Sequence, residues 1–301
     1  MRSEICLTSL LVLLMLLVTA CQLPPPPQVA PPAQHVEAAL PAEAAPPTPM
    51  QLPEAGAIAE TNGIRTYYEI HGQGAPLLLM PGDIRTTEDV AELTSLLAAN
   101  YQVIVMDARG RGRSTDSGQP FTMAMMADDA VALLDELGIP KAQVIGWASS
   151  AAVGMEMAMR YPDRVNQLVL HGPNYTVEGL APDHLAWFKS LAVGDMVPMF
   201  EEQYNRTAPD PAHLPVMLTR FQELLLREPA YTVEMLGQIQ APTLVIDGEL
   251  DEWIVREHLE SLGAALPHGE LLLLPELGHF APFENPAVWT DAVMAFLAQP
   301  R

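Results

Sequence analysis

Short apolar runs alternate with amphipathic stretches from residue 57 towards the end of the chain. Mostly apolar runs predict strands at 64–71, 76–80, 102–106, 143–146, 165–170, 243–247 and 271–274. Between them, apolar residues spaced as on one helix face predict helices at 87–100, 123–137, 150–161, 252–262 and 287–297. This alternation predicts an α/β fold with a mostly parallel sheet that carries helices on both faces.

Residues 176–240 interrupt the alternation. They contain helical pieces with prolines at 185–191, 217–227 and 233–239. We expect a small helical lid over the ends of the strands, and helices packed beside the sheet are the alternative. The segment is apolar and rich in methionine, which favours a small organic ligand with some apolar surface.

The first residues have the character of a bacterial lipoprotein signal peptide. An apolar run from Leu7 to Ala20 is shorter than the roughly 20 residues that a membrane-spanning helix needs, and it suits a secretory signal. It ends in Val18-Thr19-Ala20-Cys21, which resembles the lipobox, where cleavage precedes a lipid-bearing cysteine. An ordinary signal peptide with an incidental cysteine is the alternative. We expect an extracytoplasmic protein anchored through lipid on Cys21 to a bacterial cell membrane or outer membrane.

A linker follows the expected signal peptide. Residues 21–56 are rich in proline and alanine, a composition that forms extended spacers and buries no core. The predicted organisation is therefore a signal peptide at 1–20, a linker at 21–56 and one folded domain at 57–301, with its lid at about 176–240.

Charge and cysteine content exclude several functions. The formal net charge is −22, so the chain repels phosphate backbones, and we expect no nucleic-acid partner. The two cysteines, Cys6 and Cys21, both precede the folded domain, which excludes a disulfide framework or a cysteine metal site there. The sequence gives no sign of a cofactor or of a metal.

Five stretches of the domain carry a resemblance to a known family. They are MPGD at 80–83, DARGRGRS at 107–114, VIGWASSAAVGMEMAMRYPDRV at 144–165, APTLVIDGELDEW at 241–253 and LPELGHFAPFENP at 274–286. In this order they resemble the α/β-hydrolase fold family over about residues 57–299. The resemblance implies a site built at the carboxyl ends of the strands from a nucleophile, an acid and a histidine.

The nucleophile position departs from the family pattern. The family has G-x-S-x-G at a sharp turn between strand and helix, and this chain has Gly146-Trp147-Ala148-Ser149-Ser150. Ala148 replaces the serine, and a methyl group has no lone pair with which to attack. Ser149 could substitute only if Trp147 stood in the first glycine position, and Ser150 is expected to face the packing side.

The resemblance assigns the remaining parts of the site. Asp251 in GELD and His279 in GHF match the family's acid and base, with Glu249 as an alternative acid. The backbone N–H groups of Asp83 and Ser149 match the oxyanion hole. A carboxylate of Asp83 that pointed inwards would oppose an oxyanion, whereas one that faced outwards would only cap a turn.

Several other polar residues have weaker assignments. Asn174 occupies a position that holds the acid in some relatives, so its amide leaves Asp251 as the candidate. His71 is expected to be structural, and His171 could line the pocket. The arginines of the DARGRGRS loop are expected to brace it (Arg109, Arg111 and Arg113).

Four functions remain open at this point. The favoured one is a degenerate hydrolase that binds a small organic molecule without cleaving it. The second is an enzyme in which His279 and Asp251 act as a general base. The third is an ester, lactone or amide hydrolase with Ser149 as a displaced nucleophile. A structural envelope protein is the fourth.

Overall fold

A computed structural model of the chain describes residues 56–299. The predicted signal peptide, the lipid attachment at Cys21 and the linker lie outside these residues. Within them, no helix is both long and apolar enough to cross a membrane.

The described residues form an eight-stranded sheet. Its strands are β1 Ala57–Thr61, β2 Ile64–His71, β3 Ala75–Met80, β4 Tyr101–Met106, β5 Ala142–Trp147, β6 Val165–His171, β7 Thr243–Gly248 and β8 Gly269–Leu274. Their order across the sheet is β1-β2-β4-β3-β5-β6-β7-β8. β1 and β2 pair antiparallel, β2 runs antiparallel to β4, and all other neighbours are parallel. The predicted mostly parallel sheet is confirmed.

Ten α-helices accompany the sheet in the described part of the chain. They are α1 Ala91–Ala98, α2 Met123–Glu136, α3 Ser149–Arg160, α4 Pro182–Ser190, α5 Val193–Thr207, α6 Leu214–Leu225, α7 Val233–Leu236, α8 Arg256–Ala265, α9 Ala281–Glu284 and α10 Pro286–Leu297. Helices α4 to α7 lie between β6 and β7 in the chain, and α4, α5 and α6 supply much of the wall of the cavity described below.

The strands bury both faces of the sheet. Leu78 of β3 belongs to one apolar cluster, whereas its neighbours Leu77 and Leu79 belong to a second one. Successive side chains of a strand point to opposite faces, so these clusters lie on the two sides of the sheet. The first contains residues of α2, α3 and α6, and the second contains residues of α1 and α10. Helices therefore cover both faces, as the alternating pattern predicts.

Two predicted helices begin later than the sequence indicated. The helix predicted at 87–100 begins at Ala91, because the carboxylate of Asp89 accepts the N–H of Thr86 and holds a turn there (2.7 Å). The helix predicted at 252–262 begins at Arg256, because the carboxylate of Asp251 holds the preceding turn. In both places a polar side chain binds backbone that a helix would otherwise use.

Candidate functional site

A sharp turn between β5 and α3 holds Ala148 in an unusual backbone conformation. Its φ is 49° and its ψ is −120°, a region that costs a non-glycine residue on the order of 1–3 kcal/mol. The N–H of Ala148 donates to the carbonyl oxygen of His171 at the end of β6 (2.8 Å). The turn that presents a nucleophile in this type of fold is thus formed around a methyl group.

His279 lines the cavity described below and lies beside Asp251. Nδ1 of His279 is 2.7 Å from Oδ2 of Asp251. Burial opposes ionisation of Asp251, but its hydrogen bonds and the charge of His279 outweigh burial and lower its pKa. Ile254 donates its N–H to Oδ1 (2.9 Å), as does Trp253 (2.5 Å). An ionised Asp251 directs Nδ1–H towards itself and leaves Nε2 of His279 without a hydrogen-bond partner among residues 56–299.

Asp247 adds a second carboxyl group beside this pair. It is fully buried at the end of β7, and its Oδ1 accepts the N–H of Gly248 (2.8 Å). Its Oδ2 accepts no hydrogen bond in the described part of the chain, and a proton on the acid lets it donate to Asp251. Burial and the neighbouring charge of Asp251 raise the pKa of Asp247 far above its ordinary range. Asp247 is therefore a neutral acid at neutral pH.

The three side chains are close enough to act as one group. One oxygen each of Asp247 and Asp251 and one ring nitrogen of His279 lie within 4.8 Å of one another. Such a set could hold a metal ion. The direct contact between His279 and Asp251, and the proton on Asp247, fit a hydrogen-bonded acid-base cluster as well.

The serines after Ala148 both bind the loop that follows β3. Oγ of Ser149 accepts the N–H of Asp83 (2.9 Å), and Oγ of Ser150 donates to the carbonyl oxygen of Pro81 (2.7 Å). The predicted oxyanion donor of Asp83 is thus already engaged by a hydroxyl. An oxyanion would have to compete with that hydroxyl for the donor.

A cavity of about 240 Å³ lies above the turn. Ala148, Ser149, Asp83 and His279 line it from the sheet side. The lid contributes an apolar and aromatic wall, which includes Leu180, Trp187, Phe188, Leu191, Met196, Met199 and Phe200. A cavity of this size and lining suits a small organic molecule that is largely apolar.

His171, which the sequence offered only as a candidate lining residue, is not among the residues that line this cavity. Its side chain is fully buried, with Nε2 3.0 Å from the carbonyl oxygen of His279 and Nδ1 accepting Nε1–H of Trp289 (3.2 Å). Burial and the charge of His279 lower the pKa of His171 to about 3, so it is neutral. The neutral ring supports the segment that carries His279.

The other assigned residues form no hydrogen bond or ion pair with His279 or Asp251. Asn174 lines the cavity, and its amide donates to the carbonyl oxygen of Thr176 (3.0 Å). Glu249 is exposed, and His71 pairs with Glu69 at the end of β2 (2.8 Å).

Two of the three loop arginines form ion pairs. Arg109 binds Asp129 with a pair of hydrogen bonds, and Arg113 binds Glu88. Arg111 is different, since its buried guanidinium lies over the ring of Phe221 (4.8 Å) with no ion pair among the described residues.

Sequence reasoning missed three features of the site. Asp247 stands in the same DGELD segment as Asp251, so two acids four positions apart after a strand were a usable signal. Arg85 lines the cavity near Ala148, but only its place in space indicates that. Gly172 follows β6 at φ 54°, where an added Cβ would lie 2.6 Å from Cε1 of His279. Glycine there makes room for the imidazole.

Comparison with known proteins places these features in context. A profile of the "Alpha/beta hydrolase family" matches residues 70–292. One relative is the 2-hydroxy-6-oxo-6-phenylhexa-2,4-dienoate hydrolase of Burkholderia cepacia, 26% identical over 269 residues, which are 79% of this chain and 92% of the relative.

Solved structures give the same comparison at the level of the fold. One is the meta-cleavage product hydrolase of Pseudomonas fluorescens IP01, a serine-to-alanine mutant complexed with acetates, with a TM-score of 0.65. It is 21% identical, with coverage of 80% of this chain and 97% of that one. Another is the enol-lactonase of Burkholderia xenovorans LB400, with a TM-score of 0.64, 20% identity and coverage of 81% and 100%. At this identity the likeness extends to the fold alone.

Proposed function

This chain belongs to the alpha/beta hydrolase family, and on that premise we propose that it binds a small organic molecule without acyl-enzyme chemistry. The observation that carries the proposal is the methyl group of Ala148 at φ 49°, in the turn that would present a nucleophile to the cavity. A methyl group can neither attack a carbonyl carbon nor carry an acyl group. The binding space beside it is retained, and the chemistry that needs a hydroxyl is lost.

The lid supports the choice of ligand. Its aromatic and aliphatic wall favours a molecule with apolar surface over a sugar or a nucleotide. The substrate named for the Burkholderia cepacia relative bears a phenyl group, and a body of that kind fits such a wall. We expect the ligand to be a small molecule of this character.

The proposed location of the protein follows from its first residues. The apolar run and the lipobox-like Val18-Thr19-Ala20-Cys21 support export and lipid attachment at Cys21. The protein would then bind its ligand outside the cytoplasm.

A second candidate function rests on the pair formed by His279 and Asp251. The 2.7 Å contact fixes the imidazole, and no described residue occupies its Nε2. Such a histidine could remove a proton from a bound molecule or from water without a serine. This alternative predicts turnover in the native chain that disappears in His279→Ala.

Ester hydrolysis by three forms of the protein tests the proposal. The native chain should hydrolyse 4-nitrophenyl acetate barely above the buffer rate and should resist labelling by a fluorophosphonate. Ala148→Ser adds a hydroxyl in the retained turn and should raise the rate at least tenfold, about 1.4 kcal/mol of barrier, with labelling at residue 148. Ser149→Ala should stay at the native level.

Two results would count against the proposal. Strong native hydrolysis that is lost in Ser149→Ala would identify Ser149 as the nucleophile and restore the displaced-nucleophile hydrolase. Native turnover without labelling, abolished in His279→Ala, would instead favour the general-base enzyme.

A further inference from the structure

Arg85 is a cation at the edge of an otherwise largely apolar cavity. It follows β3 in the same loop as Asp83, and both residues line the cavity together with Phe280. Its guanidinium also lies near the ring of Phe283, which is exposed to solvent. Arg85 thus contacts Phe280 of the cavity wall and Phe283 of the surface. A charged group in this position meets any ligand that enters the cavity.

Aromatic rings hold the guanidinium in place. Its central carbon is 4.7 Å from the ring centroid of Trp147, 5.0 Å from that of Phe283 and 5.4 Å from that of Phe280. A guanidinium attracted to ring faces keeps its N–H groups, which lie in its own plane, available for other partners. These ring contacts position Arg85, and its hydrogen-bond donors have no partner among residues 56–299.

No described carboxylate uses those donors. Eight other arginines form ion pairs with aspartate or glutamate (Arg109, Arg113, Arg160, Arg164, Arg206, Arg220, Arg227 and Arg256). Within residues 56–299, the side chain of Arg85 has no ion pair and no hydrogen bond, although Asp83 lies two positions away. In a chain with a net charge of −22, an arginine left without an acid at a cavity is available for an anionic ligand.

We propose that Arg85 binds the carboxylate of a small organic acid whose apolar body occupies the cavity under the lid. The planar fork of a guanidinium matches a carboxylate with two parallel hydrogen bonds, which lysine does not reproduce. The lid wall receives the apolar end, and Arg85 fixes the charged end near the turn at Ala148. This inference rests on the proposed binding function and specifies the ligand class for the same site.

A matched pair of probes tests the charge preference. 4-Phenylbutanoate and 4-phenylbutanamide share a ring, a chain length and nearly the same shape, and they differ in charge. Isothermal titration calorimetry on the full chain should show the carboxylate binding at least about tenfold more tightly than the amide, since hydrogen bonds to charged groups exceed neutral ones. Arg85→Gln should abolish that preference, because the carboxylate loses a charge-assisted pair of hydrogen bonds and the amide loses at most a neutral one.

Two further variants control the test. Arg65→Gln removes an equal charge from an exposed residue of β2 that has no ion pair in the described chain, and it should keep the native preference. Arg85→Lys retains the charge without the fork and should restore only part of the preference. Thermal unfolding of each variant verifies that the fold is intact.

The outcomes separate this inference from the proposed function. Equal binding of the two probes to the native chain, or a preference that survives in Arg85→Gln, overturns the role of Arg85 and leaves the binding function standing. Binding of neither probe also overturns the proposed ligand class. The proposed function itself fails on strong hydrolysis by the native chain or on native turnover that requires His279, and the binding of these two probes measures neither.

Discussion

At the scale of single residues, the site combines an alanine in the turn between β5 and α3 with a hydrogen-bonded pair of Asp251 and His279. Ala148 was identifiable from the sequence, because G-x-S-x-G has a fixed position relative to strand and helix. Asp251 and His279 were identifiable for the same reason. The roles of Asp247 and Arg85 were not, since they depend on burial and on neighbours that are distant in the chain. A sequence pattern gives residue types and their spacing. It does not reveal whether a side chain has an ion pair or a hydrogen bond in the folded chain.

Asp247 makes a prediction about stability and pH. Its pKa is higher in the folded chain than in the unfolded chain, because burial and the charge of Asp251 disfavour its ionised form. The folded state then holds a proton that the unfolded state releases above about pH 4, so this residue's contribution to stability falls as pH rises. Asp247→Asn cannot ionise, so the variant does not lose this stability as pH rises. Between pH 5 and pH 9, the variant should gain more than about 1 kcal/mol relative to native, measured by urea unfolding.

An exposed aspartate provides the control for this measurement. Asp163 is exposed, and Asp163→Asn should follow the native pH dependence. Native and Asp247→Asn curves that run parallel from pH 5 to pH 9 would contradict the assignment of a proton to Asp247.

At the scale of elements, the strands were the most predictable part of the fold. The seven predicted strands are all present, with ends shifted by no more than two residues. The central parallel strands β3, β4, β5 and β7 are buried and mostly apolar, which makes them easy to recognise in the sequence. β1 was missed, since AIAET is short and half exposed. α5 was missed too, because Gly194 and Pro198 interrupt its pattern although its packing holds it helical. Tertiary contacts determine the conformation of both segments, and a local sequence pattern does not contain them.

The approach of β5 to α3 makes a prediction about Gly146. A Cβ added there would overlap the carbonyl oxygen of Ser150, which is backbone and cannot rotate away. Gly146→Ala should therefore force the turn and helix apart and destabilise the fold by about 2 kcal/mol or more, seen as a lower Tm. It should also reduce the hydrolysis gained by Ala148→Ser, because the turn sets the position of residue 148.

A second glycine separates this effect from the general cost of replacing glycine. Gly263 lies inside α8, where an added Cβ would meet only Cβ of Leu271 at an ordinary 3.4 Å. Gly263→Ala should leave Tm unchanged or raise it, since alanine favours helix. A Gly146→Ala protein as stable as Gly263→Ala would show that the turn is looser than its contacts indicate.

At the scale of the whole molecule, the net charge and the amino-terminal segment carry our prediction of where the protein works. A net charge of −22 disfavours nucleic acids and anionic lipid surfaces as partners. Membrane attachment, which we propose, would thus come from lipid on Cys21 and not from electrostatic adhesion. The amino-terminal prediction rests on the sequence alone, since those residues lie outside the described part of the chain.

Cell fractionation of cysteine variants tests the anchor. Native protein should be recovered in the membrane fraction, with a lipid-modified Cys21 at the mature amino terminus by mass spectrometry. Cys21→Ala should move most of the protein to the soluble fraction, because no acyl chain can then be attached. Cys6→Ala is the matched control and should remain with the membrane. Membrane retention of Cys21→Ala would locate the anchor elsewhere.

The turn at Ala148 has a consequence at the level of the gene. Any alanine codon becomes a serine codon through one base change, and here the backbone that a serine would need is already in place at φ 49°. The histidine, the acid beside it and the cavity are in place as well. A gene for this protein therefore stands a single point mutation away from encoding a serine in the same cavity as that histidine.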